Sequence, residues 1–247
     1  ICFDTGEVYC GPSHNFNNMV LKGETPEDVG ILSIALIPLK DMNNNIGVLY
    51  VDTKGSGNVM GARSDLILKI FAAQASISIN RARMYHLATT DSVTGIANEN
   101  LFMRRLVEEF CRAQRHRKDI SLILMDIDSF KAINTNFGEI IGNKILKNVG
   151  KLFRSATRIH DLVARFGADS FAMLLPETPY AGAMVVAEKL KGSLNKTKIR
   201  VKQQTVMVTA SFGVVASSAM TTKPGDLLNN AEKALRLAQK RGGNQIA

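Results

Sequence analysis

The sequence predicts a mixed α/β (α+β) protein in two unequal parts, and three observations carry that prediction. From residue 91 to the end, helix-like and strand-like segments alternate, with two short strands folding back on each other near the middle. Before residue 64 there are two β-rich runs joined by a polar turn. Between the two parts runs one long stretch of helical periodicity.

Composition sets the limits. A chain of 247 residues is long enough for two cores of ordinary size. Its 45% hydrophobic and 21% charged content excludes a disordered chain. No apolar run approaches the roughly 20 residues of a membrane helix. The opening Ile1-Cys2-Phe3 has no basic and apolar leader pattern, so no signal peptide is expected. Cys2, Cys10 and Cys111 cannot all pair and form no CxxC, which fits a reduced, cytoplasmic setting. His14, His86, His116 and His160 lack metal-ligand spacing. The net charge of +9 is uneven: residues 85–247 carry 24 Lys and Arg against 14 Asp and Glu, and residues 1–84 carry 7 against 8. A basic second part favours an anionic partner. That partner could be a nucleotide, a nucleic acid or a membrane surface, and with no tryptophan, only 4 tyrosines and no stacking-platform motif, nucleic acid is not expected.

In chain order, Leu32–Leu39 and Asn45–Asp52 read as strands around the turn Lys40–Asn44. Two or three strands do not make a stable sheet alone, so strands before Ile1 or a partner are expected to complete it. A helix follows from about Ser64, a plausible N-cap, to Ala88. Its stripe Leu66, Ile70, Ala73, Ile77, Asn80, Met84, Leu87 advances by alternating steps of four and three, the seam of a coiled coil with one polar member. The expectation is a parallel homodimer helix over residues 64–90, with Asn80 fixing register and a second stripe (Ile67, Phe71, Ile79) on the chain's own sheet. A turn-rich opening spans Asp91–Asn98, followed by helix Leu101–Arg117, strand Ser121–Ile127 and helix Lys144–Ala156. Strands Leu162–Phe166 and Phe171–Leu175 flank a tight turn, and helix Tyr180–Leu194, strand Val206–Ala216 and helix Pro224–Arg241 complete the chain. The domains expected are therefore 1–63, a linking helix 64–90, and 91–247.

Two constellations carry chemistry. Ser121-Leu-Ile-Leu-Met-Asp-Ile-Asp128 puts Asp126 and Asp128 on one face at the end of an apolar strand, where a carboxylate can hold a hard cation or simply be solvated. Arg165-Phe-Gly-Ala-Asp-Ser-Phe171 puts Asp169 on a hairpin tip, which is either an ordinary turn or, beside Asp126, half of a two-carboxylate metal site.

Two resemblances sharpen these readings. Leu32-Ser-Ile-Ala-Leu-Ile-Pro-Leu39, Gly47-Val-Leu-Tyr-Val-Asp52, Phe71-Ala-Ala-Gln-Ala-Ser-Ile77 and Asn80-Arg-Ala-Arg83 resemble the C-terminal half of a GAF sensor domain. Asp91-Ser-Val-Thr-Gly-Ile-Ala-Asn98, Asp126-Ile-Asp-Ser-Phe-Lys-Ala-Ile-Asn134, Phe137-Gly-Glu-Ile-Ile-Gly-Asn143, Gly167-Ala-Asp-Ser-Phe171 and Val208-Thr-Ala-Ser-Phe-Gly213 resemble, in order, the motifs of a GGDEF domain. That family, the diguanylate cyclases, joins two GTP into cyclic di-GMP on a palm-like fold with an antiparallel-containing central sheet. The resemblance implies that Asp126 and Asp169, with the Ile127 carbonyl, are Mg²⁺ ligands. It implies that Phe130, Lys131, Gly167 and Ala168 lie along the phosphates, and that Asn134 and Asn143 meet the base. Arg158-Ile-His-Asp161, with Lys189, stands where the family carries its product-binding inhibitory site.

The departures shape the expected function. Ser170 replaces a catalytic carboxylate, the kind of loss that typically costs about 10²–10³ in rate. Ala168 replaces a glycine that lets the backbone approach the nucleotide. Asn143 stands at a guanine-reading Asp, a mismatch costing roughly 1–3 kcal/mol that instead complements adenine. Gln239 and Gly243 occupy phosphate-binding Lys and Arg positions, with Lys240 and Arg241 next to them. The expectation is a weak or inactive cyclase acting as a binding module for cyclic di-GMP or GTP. The competing expectation is an active cyclase with altered base choice, such as a cyclic GMP-AMP synthase.

Overall fold

The computed structural model describes residues 2, 6–16, 26, 30–42, 44–54, 62–201, 204–218 and 221–247. The chain divides into two units, Ile1–Tyr85 and His86–Ala247.

In the first unit β1 (Tyr9–Pro12), β2 (Ser33–Asp41) and β3 (Asn44–Thr53) form an antiparallel sheet with β2 central. β1 is one strand more than the sequence pattern gave, because Tyr-Cys-Gly-Pro has too little alternation to announce a strand. The helix α1 (Ala62–Thr89) lays Leu68, Ala72 and Ala75 on Ala35, Ile37 and Leu39. Ser76 Oγ accepts from the Lys40 main-chain N–H at 3.0 Å and donates to the Ala72 carbonyl at 2.8 Å. Apart from Leu68, the inner face is thus made of small side chains (Ala72, Ala75, Ser76), which let a helix sit close to a sheet. Ile67, Phe71 and Ile79, expected on this sheet, are exposed, Phe71 at 63%. Leu66, Ile70, Ile77, Met84 and Leu87 of the heptad stripe are exposed as well. Asn80 is half-buried, and its Oδ1 has no hydrogen-bond partner among the described residues.

The second unit is organised by β4 (Ile120–Ile127), whose residues alternate between two cores. Ile123, Met125 and Ile127 pack with α4 (Glu139–Ala156) and α5 (Tyr180–Lys196). Leu122 and Leu124 pack with α2 (Glu99–His116) and α6 (Pro224–Lys240). The sheet order is β5 (Leu162–Arg165), β6 (Ser170–Pro176), β4, β9 (Ala210–Ala216), all antiparallel. Gly213 lets α6 lie against β9, since a Cβ there would strike the main chain at Ala231 and Leu235. After α6 the chain turns through Gly242, Gly243 and Asn244, all with positive φ, and residues 245–247 pair with Phe212 and Val214 of β9.

The single strand expected over Val206–Ala216 is two. β8 (Gln204–Met207) pairs with β7 (Lys198–Val201), while β9 pairs with β4. The break at Val208–Thr209 gives Asp128 its partners: the Thr209 carbonyl accepts from the Asp128 N–H at 3.0 Å. A helix α3 (Phe130–Phe137) was also unannounced, being eight residues rich in Asn and Thr and closed by Gly138 at φ +84°. α2 starts two residues earlier than expected because Asn98 Oδ1 caps it, accepting from the Leu101 N–H at 3.0 Å. None of the helices among the described residues is long and apolar enough to cross a membrane.

Candidate functional site

Asp126 is the last polar residue of β4, in register with Ser170 on β6 and Ser211 on β9. Because even-numbered β4 residues face α2 and α6, its carboxylate points toward the end of α6. Ser170 Oγ donates to Asp126 Oδ1 at 2.9 Å, and Gln239 Nε2 donates to Oδ2 at 2.7 Å. Phe171 is fully buried and meets the Phe153 ring edge-on at 5.6 Å, anchoring the strand that carries Ser170 and Asp169. The Asp169 carbonyl accepts from the Ile127 N–H at 3.2 Å, holding the hairpin tip beside β4. Burial is the main force pushing the Asp126 carboxyl above the usual carboxylate range. The Ser170 hydrogen bond opposes that shift, and the neighbouring Asp169 and Asp128 charges reinforce it.

Asp128 is committed elsewhere. It accepts from Ser211 Oγ at 2.7 Å, Thr209 Oγ1 at 2.8 Å and the Asn244 N–H at 2.8 Å, which ties the chain's last turn to the sheet. Gly243 packs on that carboxylate, since a Cβ there would come within 3.1 Å of it. Of the two strand-end carboxylates, then, Asp126 is the one that meets Asp169. Among the described residues no group of three or more His, Cys, Asp and Glu could hold a metal. Two acidic side chains facing each other, with Ile127 contributing main chain beside them, still make a donor set that suits one hard divalent cation.

The hairpin tip is fixed by a residue that spacing arguments passed over. Arg165 bonds both oxygens of Asp91 at 3.3 and 3.1 Å, and donates to the Gly167 carbonyl at 3.1 Å and the Ala168 carbonyl at 2.7 Å. Burial pushes the Asp91 carboxyl up, but the Thr94 hydroxyl and N–H together with Arg165 outweigh it and hold it below the usual range. Both residues lie inside motifs that the sequence displays, where Asp91 opens the turn and Arg165 precedes the tip; neither spacing nor composition marked them as a pair.

The remaining candidates fall in three places. Phe130 is 7% exposed and packs in the core, while Lys131 is exposed on the first turn of α3. Asn134 lies against Gly142 with its Oδ1 buried and without a partner among the described residues, and Asn143 lines a recess of about 380 Å³ with Val93, Ile140, Lys144 and Lys147. Arg158 and Asp161 close a tight turn, with Asp161 Oδ2 accepting from the Arg158 N–H at 2.8 Å. That turn lines a recess of about 320 Å³ with His160, Glu177 and the paired Arg105, Arg112 and Glu109, and another of about 470 Å³ with Arg154 and Thr157. Lys189 is exposed on α5 and belongs to neither.

Residues 88–245 match the family model described as diguanylate cyclase, GGDEF domain. The chain belongs to the GGDEF-domain family. Diguanylate cyclase A of Treponema denticola is 29% identical over 247 residues, covering 98% of this chain and 67% of that protein. Diguanylate cyclase TpbB of Pseudomonas aeruginosa is 33% identical over 70% of this chain but 41% of its own length. Among solved structures, diguanylate cyclase SiaD in complex with its activator SiaC, also from P. aeruginosa, superposes with a TM-score of 0.63 at 28% identity, covering 75% of this chain and 71% of that one. The mixed α+β architecture with antiparallel sheets is that of GGDEF domains.

Proposed function

We propose that this GGDEF domain serves cyclic di-GMP signalling chiefly as a nucleotide-binding regulatory module, with weak or absent cyclase turnover. The observation that carries the reading is the state of Asp126, whose two oxygens each accept from an uncharged side chain, Ser170 and Gln239. Those positions hold a carboxylate and a lysine in the motif that the chain otherwise follows. The signature GADSF is in this sense degenerate. Asp126, Asp169 and the Ile127 carbonyl would hold one Mg²⁺ when nucleotide is bound, and the ion would supply charge neutralisation for the phosphates. Without a carboxylate at Ser170, the site lacks a third acidic group, beyond Asp126 and Asp169, to support activation of an attacking hydroxyl.

Binding itself is supported by two features. The turn Arg158–Asp161 offers a cation and a carboxylate beside Arg154 in one recess, a pairing suited to the phosphates and guanine N–H groups of cyclic di-GMP, while Arg105 and Arg112 in the other recess are paired with Glu109. The recess at Asn143 offers one amide and the flanking Lys144 and Lys147 to a purine and its phosphates. The module works in the cytoplasm downstream of a partial GAF sensor domain over residues 1–63. Two copies pair through the helix 64–90, whose exposed apolar stripe and half-buried Asn80 suit a parallel dimer seam. Isothermal titration of the chain with cyclic di-GMP and with GTP tests the reading: saturable binding is expected for at least one, and flat titrations for both would refute it.

A second reading has its own observation. Among the described residues the recess at Asn143 is lined by no carboxylate, and the Asn143 amide, with one acceptor and one donor, can pair with an adenine edge as well as with a guanine amine. An active cyclase with relaxed base choice, making cyclic GMP-AMP, would follow. Mass spectrometry of products from mixed ATP and GTP decides it, and Asn143→Asp would then return the product to cyclic di-GMP.

A further inference from the structure

Gln239 stands on the last turn of α6, 113 residues from Asp126 in sequence, and its amide nitrogen lies 2.7 Å from Asp126 Oδ2. The side chain is exposed, so releasing it into water costs little. Beside it, Asp126 and Asp169 face each other, and the donors that reach Asp126 are an amide and a hydroxyl, which carry no charge. Two adjacent carboxylates with only neutral donors attract a cation strongly. A Mg²⁺ ion sits at about 2.0–2.1 Å from a carboxylate oxygen. The amide presents the positive end of its dipole to the same oxygen, so ion and amide repel each other there.

We infer that Gln239 is a built-in competitor for the cation: its amide latches Asp126 closed, and a divalent ion enters only as the amide swings out to solvent. The inference rests on Asp126 and Asp169 being the cation pair, and it adds a gate to that pair that belongs to this chain's own substitution. The tail supports a fixed hinge for such a gate. Asn244 N–H is bound to Asp128 Oδ2 at 2.8 Å and residues 245–247 are paired with β9, so the end of α6 is held in place. Side-chain rotation of Gln239 alone opens the latch.

The test is a titration of the whole chain with Mn²⁺, followed by the electron paramagnetic resonance signal of the free ion. Gln239→Ala should tighten Mn²⁺ binding by about fivefold, the worth of one exposed charge-assisted hydrogen bond removed from competition. Gln239→Met, which keeps the length and removes the donor, should tighten it similarly. Diamagnetic Mg²⁺ should shift the Gln239 side-chain amide resonances of the unsubstituted chain toward free values. Unchanged or weaker Mn²⁺ affinity in both variants would overturn the latch, as would the absence of Mn²⁺ binding in all three proteins. Titrations with cyclic di-GMP and with GTP read the proposed function separately: binding of either with a flat Mn²⁺ response sinks only the latch, and binding of neither with a fivefold Mn²⁺ change sinks only the binding module.

Discussion

Replacing Arg165 by alanine removes four contacts at once: two to Asp91 and one each to the Gly167 and Ala168 carbonyls. The ion pair is largely shielded, with 16% and 17% of the two side chains exposed. Its loss therefore falls between the surface value near 0–1 kcal/mol and the buried value of about 3–5 kcal/mol. The Asp91 carboxylate keeps its Thr94 bonds at 2.6 and 2.8 Å, which softens the loss. We expect about 2–3 kcal/mol, and for a unit of this size about 2–4 °C per kcal/mol, so a fall of roughly 5–10 °C in melting temperature. The effect has a pH signature. A carboxyl held below its ordinary range contributes stability at pH values above that range and loses it as pH falls through the lowered value. The gap between Arg165→Ala and the parent should thus be full at neutral pH and shrink in acid. Scanning calorimetry at both pH values measures it. A shift under 1 °C at neutral pH, or a gap that widens in acid, would refute the reasoning.

Two further substitutions probe how the site is held. Asp128→Ala removes the acceptor of two hydroxyls and the Asn244 N–H, costing about 2–3 kcal/mol. Hydrogen exchange at the Phe212, Val214 and Ala247 amides should accelerate with it, and unchanged protection would show that the tail does not depend on Asp128. Gly213→Ala drives a methyl group into the α6 main chain and should cost about 3 kcal/mol or more in urea unfolding, or prevent folding; a near-parental midpoint would show that α6 can retreat.

The parts of the fold that local pattern writes were legible. The alternation Leu122, Ile123, Leu124, Met125 states that β4 is central and covered on both faces, and the hairpin around Gly167–Asp169 states its own turn. The parts set by tertiary partners were not. On α1 the large apolar residues suggest the inner face, yet Ala72 and Ser76 take it, because close packing on β2 selects small side chains. Val206–Ala216 reads as one strand because its β-propensity is continuous; it breaks where Asp128 needs Thr209. At the site, the pairing of Asp126 with Asp169 follows from motif order, whereas the reach of Gln239 across the sheet end depends on how α6 ends, which spacing does not encode.

The central claim is that uncharged partners at Asp126 leave a nucleotide site with little catalysis. Its most direct measurement is cyclic dinucleotide formed from GTP and Mg²⁺, quantified by chromatography over hours, for the parent and for the double substitution Ser170→Glu with Gln239→Lys. Less than about one product per chain for the parent, with a rate at least about 10²-fold higher for the substituted protein, is the predicted result. Steady turnover by the parent, equal to that of the substituted protein, would contradict it.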